Sequence, residues 1–168
     1  MGRNCLIIAG DGHRANLTTC KFGDREGHIT VGDNVTIMNG VRVQSASEIV
    51  IGEGTMLANF CYIMDADWHD IHVRVLAPGK TAPVILEKGV WVGDSAIVCK
   101  GVRIGENSVI GAGSVVRTDI PANSIAIGNP AQVVGRIDPA KVVLRGSERE
   151  KEIFAGLERL AGRQGRSR

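Results

Sequence analysis

Residues 84–116 read VILEKGVWVGDSAIVCKGVRIGENSVIGAGSVV, and this stretch decides the fold. Stepping by six from Leu86 gives Val92, Val98, Ile104, Ile110 and Val116, a branched aliphatic at every step. One residue after each stand Glu87, Gly93, Cys99, Gly105, Gly111 and Arg117, three of them glycine. Four residues after stand Val90, Ala96, Val102, Ser108 and Ser114, all small or slim. A period of six is neither the 3.6 of a helix nor the two of a lone strand. A short strand followed by a sharp corner fits it. Three such rungs close a triangular coil of about 18 residues. The first column then points inward, and the fourth must be small because the interior narrows at each corner. Glycine is expected to supply the corner dihedrals.

The same rule runs upstream. Val31, Ile37 and Val43 are six apart, as are Ile51, Leu57 and Ile63. Eight residues separate Val43 from Ile51, so one corner carries two extra. Coils stacked at about 4.8 Å predict a prism on the order of 25 Å tall. Composition agrees. Glycine numbers 22 of 168 residues and aromatics are only 4%, so the core must use small branched side chains and tight turns.

Asp65 to Pro83 breaks the period and reads as an excursion between coils, where insertions into a repeat tend to carry function. Ser147-Glu148-Arg149-Glu150 reads as a capping box. Ile153, Phe154, Leu157, Leu160 and Ala161 give one apolar helix face. A short C-terminal helix over about 148–162 is predicted, capping the prism or packing on a neighbour, with 163–168 a basic tail. Residues 1–28 are expected to form the first coil. The chain thus divides into a solenoid domain, 1–137, with extruded loop 65–83, and a C-terminal helix and tail, 138–168.

Net charge is +2, too small a positive field for a protein that coats nucleic acid. The apolar runs are too short to span a bilayer, and about five apolar residues after Arg3 are too few for a signal peptide. A cytoplasmic chain with no membrane insertion is expected. The four cysteines, Cys5, Cys20, Cys61 and Cys99, form no CxxC and are expected to be reduced. No metal site is expected. His69 and His72 are three apart, but that spacing in a loop is weak evidence for metal.

The excursion opens Asp65-Ala66-Asp67-Trp68-His69-Asp70-Ile71-His72-Val73-Arg74. An imidazole with carboxylates one to four residues away is the composition of a general base and its orienting groups. His69 is the candidate base. Trp91, next to inward Val92, must point outward and suits a ligand wall or a subunit interface.

These runs, closing with Gly111-Ala112-Gly113-Ser114-Val115-Val116, Asp119-Ile120-Pro121 and Gly128-Asn129-Pro130-Ala131, resemble the hexapeptide-repeat acyltransferases. The resemblance is to the sugar O-acetyltransferases, maltose and galactoside acetyltransferases and polysaccharide-modifying members among them, over about residues 29–137. It implies an all-β solenoid, a left-handed parallel β-helix, the hand coming from the resemblance alone. It implies a homotrimer with sites between subunits, acetyl-CoA as co-substrate and a sugar hydroxyl as acceptor. His69 would be the catalytic base, with Asp67 the preferred supporting carboxylate. Asp65, Asp70, Arg74 and Trp91 would contact the acceptor. Asp94, Ala112, Arg117, Thr118, Gln132 and Arg136 match positions along the coenzyme. Alternatives on the same scaffold are N-acetylation of an amino sugar, a zinc carbonic anhydrase and a non-catalytic trimeric scaffold.

Overall fold

The computed structural model describes residues 1–10 and 12–164, with no account of the side chains of 160–164. Three parallel sheets are visited in one cyclic order. Taking the coils from His28, the strands of the first sheet are His28–Val31, Glu48–Ile51, Val84–Leu86 and Arg103–Ile104. The second holds Thr36–Ile37, Met56–Leu57, Trp91–Val92, Val109–Ile110 and Ser124–Gly128. The third holds Arg42–Ser45, Tyr62–Met64, Ile97–Val98 and Val115–Val116. They are called here the Ile85, Trp91 and Tyr62 faces. Residues 1–28 do join the coil. Leu6–Ile7 pairs with Thr36–Ile37 on the Trp91 face, and Asn16–Thr19 pairs with Arg42–Ser45 on the Tyr62 face. Lys21–Phe22 and Arg25–Glu26 then form a small antiparallel hairpin before His28–Val31 opens the Ile85 face.

Register gives the coil length. Leu86 lies beside Ile104, Val92 beside Ile110 and Val98 beside Val116, each eighteen residues on. Val31 beside Ile51 and Ile37 beside Leu57 are twenty on, which is the enlarged corner after Val43. Ile63 beside Val98 is thirty-five on, and the excess of seventeen is the excursion. The inward columns are sealed. Leu86, Val92, Val98, Ile104, Ile110 and Val116 are fully buried, and so are Val90, Ala96 and Ser108. The buried core cluster contains no aromatic side chain.

The corner chemistry differs from expectation. Positive φ falls not on the glycines that follow each inward aliphatic but two residues later, at Asn34, Gly40, Gly54, Phe60, Gly89, Ser95, Gly101, Asn107 and Gly113. The earlier glycines are required by coil-on-coil contact. A Cβ on Gly93 would lie 2.5 Å from the Ile110 carbonyl oxygen and 2.7 Å from the Ala112 nitrogen. Gly113 has φ +68° but open space around it. Gly93→Ala is expected to lose about 1–3 kcal/mol by overpacking, more than Gly113→Ala, and paired urea denaturation curves check the order.

The last coil is irregular. Ser124–Gly128 pairs parallel with Val109–Ile110 and antiparallel with Ala131–Arg136, which ends the Trp91 face. The chain then recrosses that face, and the Arg145 guanidinium donates to Thr36 Oγ1 at 3.1 Å. The helix spans Glu148–Gln164. Its cap is a variant of the expected box. The Glu150 N–H donates to Ser147 Oγ (3.2 Å), but Glu150 Oε2 accepts from the Gly146 N–H (2.6 Å), one residue before the Ser. Ile153, Phe154 and Leu157 stay exposed, so the helix does not cap its own prism. Leu160 and Ala161 of that face, and tail residues 165–168, lie outside the described side chains and residues.

Candidate functional site

The excursion leaves from Tyr62–Met64 and returns at Val84–Leu86, so it projects from the corner between the Tyr62 and Ile85 faces. It is a narrow double strand at its base. The Ala82 N–H donates to the Asp65 carbonyl (2.9 Å), the Asp67 N–H to Lys80 (2.8 Å) and the Gly79 N–H to Asp67 (2.6 Å). Gly79 is needed here, since a Cβ would sit 2.5 Å from the His69 carbonyl oxygen. Beyond that base, residues 71–77 are exposed.

His69 stands at the end of this ladder with its side chain exposed. The residue before it is anchored. The Trp68 indole N–H donates to the Tyr62 hydroxyl (2.9 Å), which donates to Gln44 Oε1 (2.5 Å). The Arg42 guanidinium lies 4.2 Å above the Tyr62 ring, a cation–π stack. Sequence reasoning missed Gln44, Arg42, Tyr62 and Lys100 as parts of this site. Tyr62 sits directly beside Arg42 on the next coil, so a pass at coil spacing would have found that pair.

One expected role is corrected, and the structure places the others. Asp65 was expected to contact the acceptor, but it is fully buried. Its carboxylate accepts from the Ser45 hydroxyl (2.6 Å), the Ala46 N–H (2.7 Å) and the Ser47 N–H (2.9 Å). It builds the enlarged corner. Asp67, expected to support His69, pairs through Oδ1 with Lys100 Nζ at 2.7 Å. Asp70 Oδ1 accepts from the N–H groups of Val73 (2.9 Å) and His72 (2.8 Å). Those two donors hold its carboxyl below the usual carboxylate range. Asp70 is thus a turn-forming residue, and the order it gives is present above the ordinary aspartate range and lost as pH falls through the lowered value. Arg74 is exposed beyond this turn. Trp91 is half exposed, but on a different face from either that flanks the loop. There it lines an apolar cleft of about 210 Å³ with Met56, Val109, Val143 and Leu144. Within one chain it does not share a surface with His69.

The remaining positions fall in two groups. Arg117, Lys100 and Asp67 all bear on the half-buried Cys99 thiol, which burial pushes up, so Arg117 stands at the corner that launches the loop. Thr118 follows it, exposed. Asp94 and Ala112 occupy the opposite corner of the Tyr62 face, stacked so that the Gly113 N–H donates to the Asp94 carbonyl (2.8 Å). Gln132 is exposed beside Ile127 at the end of the Trp91 face. Arg136 is not with them. It pairs with Ser124 across that strand, and its guanidinium donates to Ser124 Oγ (2.9 Å). Arg136, expected along the coenzyme, thus helps close the last coil. Cys61, buried beneath the Tyr62 face, has its thiol pushed up to about 12, chiefly by burial. Among the described residues, no three His, Cys, Asp or Glu side chains converge as metal ligands, and no helix is long and apolar enough to cross a membrane.

The family model for the bacterial transferase hexapeptide (six repeats) matches residues 83–118. A candidate acetyltransferase of Saccharomyces cerevisiae is 35% identical over 119 residues, covering 70% of this chain and 59% of the yeast protein. A second, from Staphylococcus aureus, is 37% identical over 130 residues and is covered to 65% of its length. The chain therefore spans less than two thirds of these curated relatives. The structure of a maltose O-acetyltransferase from Clostridium difficile 630 is similar with a TM-score of 0.67 at 34% identity, over 82% of this chain and 69% of that one. A galactoside acetyltransferase in complex with coenzyme A is similar with a TM-score of 0.62 at 26% identity, over 83% and 68%. The six-residue rungs, the excursion ahead of Val84 and this likeness along both chains lead to one assignment: the chain belongs to the hexapeptide-repeat acyltransferase family.

Proposed function

We propose that this chain is an acetyl-CoA-dependent O-acetyltransferase acting on a sugar hydroxyl, a left-handed coil assembled as a trimer. The observation that carries the reading is the excursion. It interrupts an otherwise closed coil and ends its ladder on an exposed imidazole, with the preceding indole fixed to the prism through Tyr62 and Gln44. A family of acyltransferases on this scaffold and a solvent-facing base on a braced loop make one chemistry.

In that chemistry the acceptor hydroxyl oxygen attacks the thioester carbonyl carbon as His69 takes its proton. The tetrahedral oxyanion collapses, the carbon–sulfur bond breaks, and the imidazolium returns the proton to the departing thiolate. The thioester arm would run along the Asp94 and Ala112 edge, with Arg117 and Thr118 at the far corner of the same face. Gln132 would stand near its upper end. Arg74 would meet the acceptor from the loop, and Trp91 would reach a site only from a neighbouring subunit. That last point makes assembly part of the function.

The test is release of the coenzyme A thiol from acetyl-CoA against a panel of neutral, amino and phosphorylated sugars, with sedimentation of the same sample. Acetyl transfer to at least one sugar hydroxyl is expected, from a species of three times 17.9 kDa. No transfer to any sugar, or a monomer at micromolar concentration, would contradict the reading.

A further inference from the structure

At the N-terminal end of the Tyr62 face lies an open recess of about 330 Å³ that includes His13, Arg14, Asn16, Arg42 and Phe60 in its wall. No carboxylate lines it among the described residues. Phe60 is its unexpected member. It occupies the positive-φ corner position that is glycine, asparagine or serine at every other rung of the coil, with φ +57°. A bulky side chain avoids that conformation, and an outlier of this kind is a reason to look for function. Phe60 is nevertheless 45% exposed, so core packing does not explain it. The coil makes room for it. A Cβ on Gly40 would lie 2.4 Å from the Phe60 ring. The His13 ring meets Phe60 edge-on at 5.1 Å, and the Gly40 N–H donates to the His13 carbonyl. Arg42 joins the recess to the catalytic loop, because its guanidinium stacks on the Tyr62 ring that holds Trp68.

We infer that this recess binds the phosphate group of a phosphate-bearing sugar acceptor, with Arg14 and Arg42 on the phosphate and Phe60 against a planar or apolar ring attached to it. The inference deepens the acetyl-transfer reading and rests on it for the word acceptor. Guanidinium groups suit a phosphate because their paired N–H donors match its oxygens. An exposed aromatic ring offers a stacking surface that a nucleobase would use. The recess lies on the same corner as the proposed coenzyme edge but two coils before Ala112, since the Ser95 N–H donates to the Asn59 carbonyl (2.9 Å) as the Gly113 N–H does to Asp94.

Calorimetry without acetyl-CoA tests binding alone, with three probes: a free hexose, the hexose 1-phosphate and a nucleoside diphosphate hexose. Tighter binding of a phosphorylated probe than of the free hexose is expected, weakened at least about tenfold in Arg14→Met and in Arg42→Met. Phe60→Ser keeps a residue type found at the equivalent Ser95 corner. If the source is a nucleotide-linked sugar, it weakens that probe about tenfold and leaves the hexose phosphate unchanged. Because Arg42→Met also touches Tyr62, Arg14→Met carries the conclusion where the Arg42 variant melts early. Equal binding of neutral and phosphorylated probes, or unaltered binding by Arg14→Met, overturns the inference. So does a Phe60→Ser chain that sediments as a smaller assembly, which would make Phe60 an interface residue. Binding as expected with no acetyl transfer upholds the recess and overturns the transferase reading.

Discussion

His69→Ala is expected to lower turnover at least about a hundredfold, within the 10²–10⁴ that a positioned general base contributes. The side chain is exposed, so its loss opens no cavity. The features that hold the loop belong to other residues: the Asp67 to Lys80 rung, the Gly79 N–H on the Asp67 carbonyl, and Trp68 on Tyr62. The melting temperature should therefore stay with wild type while turnover falls. KM for acetyl-CoA should change little, because the proposed coenzyme edge at Asp94 and Ala112 lies across the Tyr62 face. Lys100→Ala is the contrasting variant. It frees Asp67 at the base of the loop and leaves the imidazole in place, so it should cost less turnover than His69→Ala. Steady-state release of the coenzyme A thiol, beside thermal melts of both variants, reads all of this. Turnover near wild type in His69→Ala would remove the imidazole from the mechanism and return the chain to the scaffold reading.

The coil was legible because its constraint is local and repeated. An inward aliphatic every sixth residue and a slim residue four later are both visible along one line of sequence, and both columns are buried as read. The excursion was legible for the converse reason, as the place where the period stops. What failed was the reading of neighbours in sequence as neighbours in space. Asp65, Asp67 and Asp70 crowd around His69 along the chain, yet their carboxylates turn to Ser45–Ser47, to Lys100 and to the loop's own backbone. In a stacked coil the nearest partner of a residue is about one coil away, not one residue away. The glycine columns failed similarly. The sequence marks where glycine stands, but whether φ or a carbonyl on the next coil demands it depends on the stacking distance, which Gly93 and Gly113 meet in opposite ways.

Asp65 carries the largest expected loss of stability. Its fully buried carboxylate gathers three donors. Those donors come from Ser45 to Ser47, the corner that holds the two extra residues of the repeat. Without the carboxylate that corner has no reason to close. Meanwhile the Asp65 carbonyl accepts from Ala82 and seals the loop base. One residue therefore fixes both the widened corner and the neck of the excursion. Asp65→Ala leaves buried donors unsatisfied, each at about 1–3 kcal/mol, so a total near or above about 3 kcal/mol is expected. In a chain of this size that lowers Tm by roughly 6–12 °C. Asp65→Asn keeps one carbonyl oxygen as acceptor and should lose less. The loop should suffer with the corner, so limited proteolysis within residues 71–77 should quicken in Asp65→Ala well below its melting temperature. A loss under about 1 kcal/mol, measured by urea denaturation, would mean that the corner closes without this carboxylate. The buried aspartate would then be available for another role.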